Sequence, residues 1–202
     1  MKLSPVIVFC YNRPWHVEQT LEALSRNELA DQTTLYIYCD GPKVNASPEQ
    51  IRKIEDTRAV AHKKKWCGEV YVVESETNKG LRTSIITGAT EVINKYGRVI
   101  VLEDDLETSP YFLKYMNEAL EKYESYRGVF SISAQSYTNP AEFPKDYPYD
   151  VYASPTHDPT GWATWKNRWE LVEWDIDKQL AAPLAEQPYL RQAYMRAGEG
   201  MY

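Results

Sequence analysis

A chain of 202 residues is long enough to bury a sizeable hydrophobic core without disulfide or metal staples. Hydrophobic residues at 43% and charged residues at 26% describe a globular protein, which excludes collagen-like, low-complexity and wholly disordered classes. With 23 Lys plus Arg against 29 Asp plus Glu, the formal charge of -6 has the wrong sign for a protein whose main partner is nucleic acid.

The longest apolar runs fall far short of the roughly 20 residues that cross a bilayer, so no transmembrane segment is expected. The N-terminus passes from Lys2 through Pro5 directly into a short strand-like run, without the apolar stretch of a secretory leader, and the chain reads as cytoplasmic. Cys10, Cys39 and Cys67 are odd in number and lack CxxC spacing, which predicts buried free thiols.

Taken in chain order, five apolar runs read as strands: Val6 to Phe9, Leu35 to Cys39, Val70 to Val73, Val99 to Leu102 and Val129 to Ser133. Helices fill the gaps. Trp15 to Ser25 places Val17, Leu21 and Leu24 on one side, with Asn12 as its expected cap. Ser47, Pro48 and Gln50 form a capping box ahead of Ile51, Ile54 and Val60. Leu81 to Tyr96 carries Ile85, Ala89, Val92 and Ile93 inward and is closed by Gly97. Ser109 and Pro110 open a fourth helix through Phe112, Met116, Ala119 and Tyr123. Strand and helix alternation implies an α/β fold with a mostly parallel sheet covered on both faces. Residues 135–159 hold five prolines among polar residues and tyrosines, the composition of a long functional or capping loop.

In such a sheet, ligands bind beyond the carboxyl ends of the strands. Those ends are polar here. Tyr11, Asn12 and Arg13 follow the first strand, Asp40 and Gly41 the second, Asn78, Lys79 and Gly80 the third, and Glu103, Asp104 and Asp105 the fourth. Three consecutive carboxylates at the end of a buried strand repel one another, and a cation relieves the repulsion. If the strand continues, period two puts Glu103 and Asp105 on one side and Asp104 on the other. Mg2+ or Mn2+ held by one or two carboxylates completes its shell with water and substrate phosphate, which favours a metal–diphosphate site. The chain lacks GxGxxG after the first strand, GxxxxGK[ST], GxSxG and HExxH, which removes the dinucleotide, P-loop, serine-hydrolase and zincin readings.

The segments VIVFCYNRP, YIYCDGP, NKGLRTSIITGA and VIVLEDDLETSPYF, in that order, resemble the nucleotide-sugar-binding half of GT-A glycosyltransferases, most nearly the N-acetylglucosaminyltransferase I type and its bacterial relatives. The resemblance runs from about Pro5 to Trp169. It implies a GT-A-like sheet, a nucleotide diphosphate sugar donor (a UDP-sugar), a carbohydrate or glycoconjugate acceptor, and an inverting transfer. Asp105 would bind the Mn2+ or Mg2+ ion, and Glu103 and Asp104 would contact ribose or donor sugar. Arg13 would face the nucleotide, Asp40 would read its uracil-ribose portion, and Asn78 stands where that enzyme type has a histidine. Gly80 would admit the donor close to the backbone, and Arg82 would reach phosphate.

The stretch TGWATWKNRW from Thr160 resembles the Gly-Trp segment that closes over donor and acceptor in that family. Trp162, beside Gly161, would face sugar, whereas Trp165 and Trp169, at helical spacing from it, read as a buried helical stripe. An inverting transfer needs a carboxylate base near the acceptor hydroxyl. In the resembling family that acid lies downstream of the Gly-Trp segment, toward or past Tyr202, so a truncated chain is expected, with Asp158 as the base candidate ahead of Glu173 and Asp175. The expected division is a nucleotide-sugar-binding unit over 1–134 and an acceptor-side or lid region of the same domain over 135–202. Two alternatives stand beside this reading. A sugar nucleotidyltransferase would need a Gly-rich basic loop where Asn12, Arg13 and Pro14 stand, and a carbohydrate-binding module would leave the acidic triplet unexplained.

Overall fold

The computed structural model describes residues 2–135, 146–155 and 157–175. Within them the chain alternates strand and helix: β1 Val6–Cys10, α1 Pro14–Ser25, β2 Thr34–Cys39, α2 Pro48–Ala61, β3 Glu69–Glu74, α3 Leu81–Tyr96, β4 Arg98–Glu103, α4 Phe112–Tyr123, β5 Ile132–Ser133, β6 Trp162–Trp165 and α5 Lys166–Trp169. The six strands form one sheet in the order β3-β2-β1-β4-β6-β5. β3, β2, β1 and β4 are parallel, while β6 runs antiparallel to both β4 and β5. The fold is therefore α/β with a mostly parallel sheet, as the alternation predicts.

Every residue of β1 is buried, which is what a central strand covered on both faces requires. Val6, Val8 and Cys10 join Leu35, Ile37, Cys39, Ile100 and Leu102 in one core with Val17, Leu21 and Leu24 of α1 and Leu113, Met116 and Leu120 of α4. Ile7 and Phe9 alternate with them along the strand, and α3 packs on β1 and β4 through Gly88, Ala89, Val92 and Ile93. Burying each large aliphatic side chain contributes about 1.5–3 kcal/mol. The three cysteines are free and buried. No described helix is long and apolar enough to cross a membrane.

Helix ends follow the local chemistry in part. The Ser47 capping box forms, with the Ser47 hydroxyl accepting from Gln50 and the Gln50 side chain accepting from Ser47 N–H, and Gly97 closes α3. At α1 the cap position falls on Arg13, without a side-chain cap bond, rather than on Asn12. Pro14 sits in the first turn and sets the start instead. α4 begins at Phe112, two residues past the expected Ser-Pro opening. The fifth expected strand shrinks from Val129–Ser133 to Ile132–Ser133.

A larger correction concerns the tryptophans. Trp165 belongs with Trp162 to β6 rather than to a helical stripe with Trp169, and of these three only Trp169 is helical. Ladder hydrogen bonds to β4, with Val101 opposite Trp162 and Arg98 opposite Trp165, outweigh the helix-like spacing. By contact density the chain divides into Met1–Arg168 and Trp169–Tyr202. The first unit thus takes in β6 and its Gly-Trp start.

Candidate functional site

β1 has β2 on one side and β4 on the other, so the chain leaves β1 in one direction and returns to its far side after β3. That reversal parts the loops at the carboxyl ends of β1 and β4 and opens a crevice there. A cleft of about 270 Å3 lies at this place. Its walls come from Phe9 to Arg13 after β1, Tyr38, Asp40 and Lys43 around the end of β2, Asn78 to Ser84 before and within α3, and Glu103 and Asp104 after β4.

Asp40 organises one wall. Its carboxylate is nearly buried and accepts four N–H groups: the backbone of Gly41 at 2.9 Å, Lys79 at 2.8 Å and Gly80 at 3.0 Å, and Nδ2 of Asn78 at 2.9 Å. Asn78 also donates to the Gly41 carbonyl at 3.1 Å. These bonds tie the end of β2 to the loop that opens α3. Gly80 enters α3 at φ +77°, a left-handed conformation that side chains rarely adopt, and space beside it is open.

The opposite wall is the acidic triplet with Arg13. Strand geometry stops at Glu103, and Asp104 and Asp105 lie in a turn, so the expected alternation of faces does not continue through them. Asp104 is 3% exposed. Nε of Arg13 donates to its Oδ2 at 3.3 Å and Nη2 donates to Oδ1, a two-pronged contact. The Asp104 carbonyl accepts from the Thr20 hydroxyl at 2.9 Å, anchoring the turn to α1. Nη1 of Arg13 reaches Asp105 Oδ2 at 3.0 Å, and that carboxylate is 42% exposed. Burial pushes the Asp104 carboxyl above the ordinary carboxylate range, and Arg13 pulls it back down without cancelling the rise. Burial likewise raises Glu103, helped by the charges of Asp105 and Asp104 and opposed by Arg13. One guanidinium thus faces three carboxylates.

The residues singled out from sequence divide into two groups. Arg13, Asp40, Asn78, Gly80, Glu103 and Asp104 line the same cleft, and Asp105 adjoins it through Arg13. Arg82, Trp162 and Asp158 are not among the lining residues. Arg82 is exposed on the first turn of α3. Trp162 is buried in β6 with the His157 ring against it at 5.5 Å, edge on. Asp158 lies in the segment entering β6; because β6 is antiparallel to β4 and starts opposite Val101, that segment arrives at the same rim as Glu103. Its Oδ1 accepts from Thr160 N at 2.8 Å, and its buried Oδ2 has no hydrogen-bond partner among the described residues. Glu173 and Asp175 lie in the second unit.

Sequence reasoning missed Lys43 and Tyr38 as cleft residues. Lys43 was within reach, three positions past Asp40 on a strand-end loop; Tyr38 was hidden inside an apolar run. Tyr11 is a lining residue of the cleft, and its phenol oxygen is buried with no hydrogen-bond partner among the described residues. No three His, Cys, Asp or Glu side chains come together to hold a metal ion among the described residues. A divalent ion bound here would thus draw on one or two carboxylates and take the rest of its oxygen shell from substrate and water. An exposed Asp105 beside a charge-rich Glu103 suits that donor set.

The chain is 30% identical over 89 residues to the alpha-1,3-mannosyl-glycoprotein 2-beta-N-acetylglucosaminyltransferase of Arabidopsis thaliana, across 41% of this chain and 20% of that one, so it spans about a fifth of that relative's length. Among solved structures it is similar to S. aureus TarS, with TM-score 0.40 and 16% identity over 61% of this chain and 20% of that one. It is also similar to mouse xyloside xylosyltransferase 1 in its apo form, with TM-score 0.47 and 10% identity over 85% and 70% of the two chains. A family model matches residues 6–169, from the first residue of β1 to the last of α5, and by that match the chain belongs to glycosyl transferase family 2.

Proposed function

We propose that this chain binds a nucleotide diphosphate sugar, UDP-linked in the first instance, in the cleft between β1 and β4, and transfers the sugar to a carbohydrate acceptor with inversion. The observation that carries this reading is the union of two features at one sheet edge: a loop locked by Asp40 and an excess of carboxylate over guanidinium at Glu103, Asp104 and Asp105. Asp105, with Glu103 beside it, would hold Mn2+ or Mg2+. Such an ion neutralises charge developing on a leaving diphosphate. Arg13 adds fixed positive charge on the same wall, and the N–H groups bound by Asp40 tie the Asn78–Gly80 loop to the end of β2.

Asp158 is the base candidate on this reading. It arrives on the rim with a carboxylate oxygen that has no described partner, and a base must lie within hydrogen-bond reach of the acceptor hydroxyl. Family membership and the sequence resemblance support sugar transfer as the activity.

Calorimetry with UDP, with and without Mn2+, tests the reading. Binding that depends on Mn2+ and disappears in Asp105→Ala, with an unchanged circular dichroism spectrum, is the expected result. Binding of free sugar without nucleotide, or UDP affinity indifferent to Mn2+, overturns it.

A further inference from the structure

We propose that Arg13 is the resident counter-ion of Asp105 and competes with a divalent cation for it: when the cation binds, Arg13 releases Asp105 and keeps Asp104. This inference rests on the reading of Asp105 as the metal ligand.

The two halves of the Arg13 contact are unequal. Toward Asp104 the guanidinium uses two nitrogens on both carboxylate oxygens, and Asp104 is 3% exposed. Breaking that contact leaves a buried carboxylate without compensation, which is strongly unfavourable. Toward Asp105 a single nitrogen makes a single contact at 3.0 Å, between side chains that are 44% and 42% exposed. Contacts of that kind are weak and easily exchanged. The guanidinium can therefore stay on Asp104 while its third prong lets go.

Charge points the same way. One guanidinium set against Glu103, Asp104 and Asp105 leaves negative charge in excess on this wall. Arg13 thus offsets part of what a divalent ion would neutralise, and it does so at the carboxylate the ion needs. Its place between the end of β1 and the first turn of α1 makes the exchange a link between the β1 and β4 rims of the cleft.

Electron paramagnetic resonance of free Mn2+ titrated against the protein, without nucleotide, measures the competition directly. Arg13→Gln is expected to bind Mn2+ about two- to fivefold tighter than the parent, the range set by loss of an exposed ion pair. Since that substitution also strands the buried Asp104, the same comparison is made in an Asp104→Asn background, where no buried charge is left behind. Tighter Mn2+ binding on removing Arg13 in the Asp104→Asn background, as well as in the parent, supports the exchange. Unchanged or weaker binding in the Asp104→Asn background overturns it, while loss of Mn2+ binding in Asp105→Asn shows that the metal reading still stands. Retention of Mn2+ binding in Asp105→Asn overturns both.

Discussion

Asp40 and Gly80 stand forty residues apart, and the carboxylate of the first accepts the backbone N–H of the second at 3.0 Å. With Gly41, Asn78 and Lys79 also donating, Asp40 sets the shape of the cleft wall before any ligand arrives. Asp40→Asn keeps one acceptor oxygen but turns an NH2 group toward N–H donors. It is expected to lower the unfolding free energy by about 1–3 kcal/mol, the cost of stranding buried donors. UDP affinity should fall with it. Urea denaturation and calorimetry check the two effects.

Gly41 is crowded by backbone: a Cβ there would meet the Ser75 carbonyl oxygen and the Thr77 main chain at 2.6 Å. Gly41→Ala is expected to destabilise by about 1–3 kcal/mol, since neither neighbour is a flexible side chain. Gly128 has nothing within 4 Å of a Cβ, so Gly128→Ala serves as the control and stays within about 0.5 kcal/mol of the parent. Thermal denaturation of the pair separates crowding from a general glycine effect.

Arg168 is 3% exposed and ends on main-chain carbonyls, with Nη2 on Glu124 at 2.6 Å and Nε on Val129 at 3.4 Å, while its guanidinium lies 4.6 Å from the Trp165 ring centre. It pins β6 to the exit of α4. Arg168→Ala strands those carbonyls and is expected to cost about 1–3 kcal/mol. Arg168→Lys should recover only part, because an ammonium lacks the planar fork. Chemical denaturation ranks the three proteins.

Cys67 supplies a pH dependence. Burial pushes its thiol from an ordinary 9.0 up to about 12. The unfolded chain ionises there first, so the stabilisation is whole below pH 9 and is lost as pH rises toward 12. Burial also raises the Tyr38 phenol, which acts in the same direction at higher pH. On raising the pH from 7 to 10, the parent is expected to lose about 1 kcal/mol more than Cys67→Ala. Denaturation midpoints at the two pH values test the difference, and a common loss in both proteins counts against it.

Much of the architecture was legible because apolar runs and capping residues act locally. β1 through β4 and α1 through α3 follow from run length, periodicity and signals such as the Ser47 box, none of which needs distant partners. β6 escaped for a physical reason. All four of its residues are buried, so it shows no alternation, and its tryptophan spacing mimics a helix. The candidate site was legible as a set of strand ends, since topology sends those ends to one rim. Its wiring was not. Arg13 meets Asp104 across 91 residues and Asp40 meets Lys79 across 39, and no spacing rule encodes such pairs. For the same reason the acidic triplet announced its charge but not its turn, which depends on Thr20 and Arg13 holding Asp104 inward.

The antiparallel seam between β4 and β6 sets a lower bound on what can fold alone. A fragment ending before Trp162 would leave one side of β4, whose Val99–Leu102 stretch is wholly buried, as a bare hydrophobic ladder open to pairing with other molecules. The strands that form the cleft therefore owe their covered edge to a segment contributed some sixty residues later.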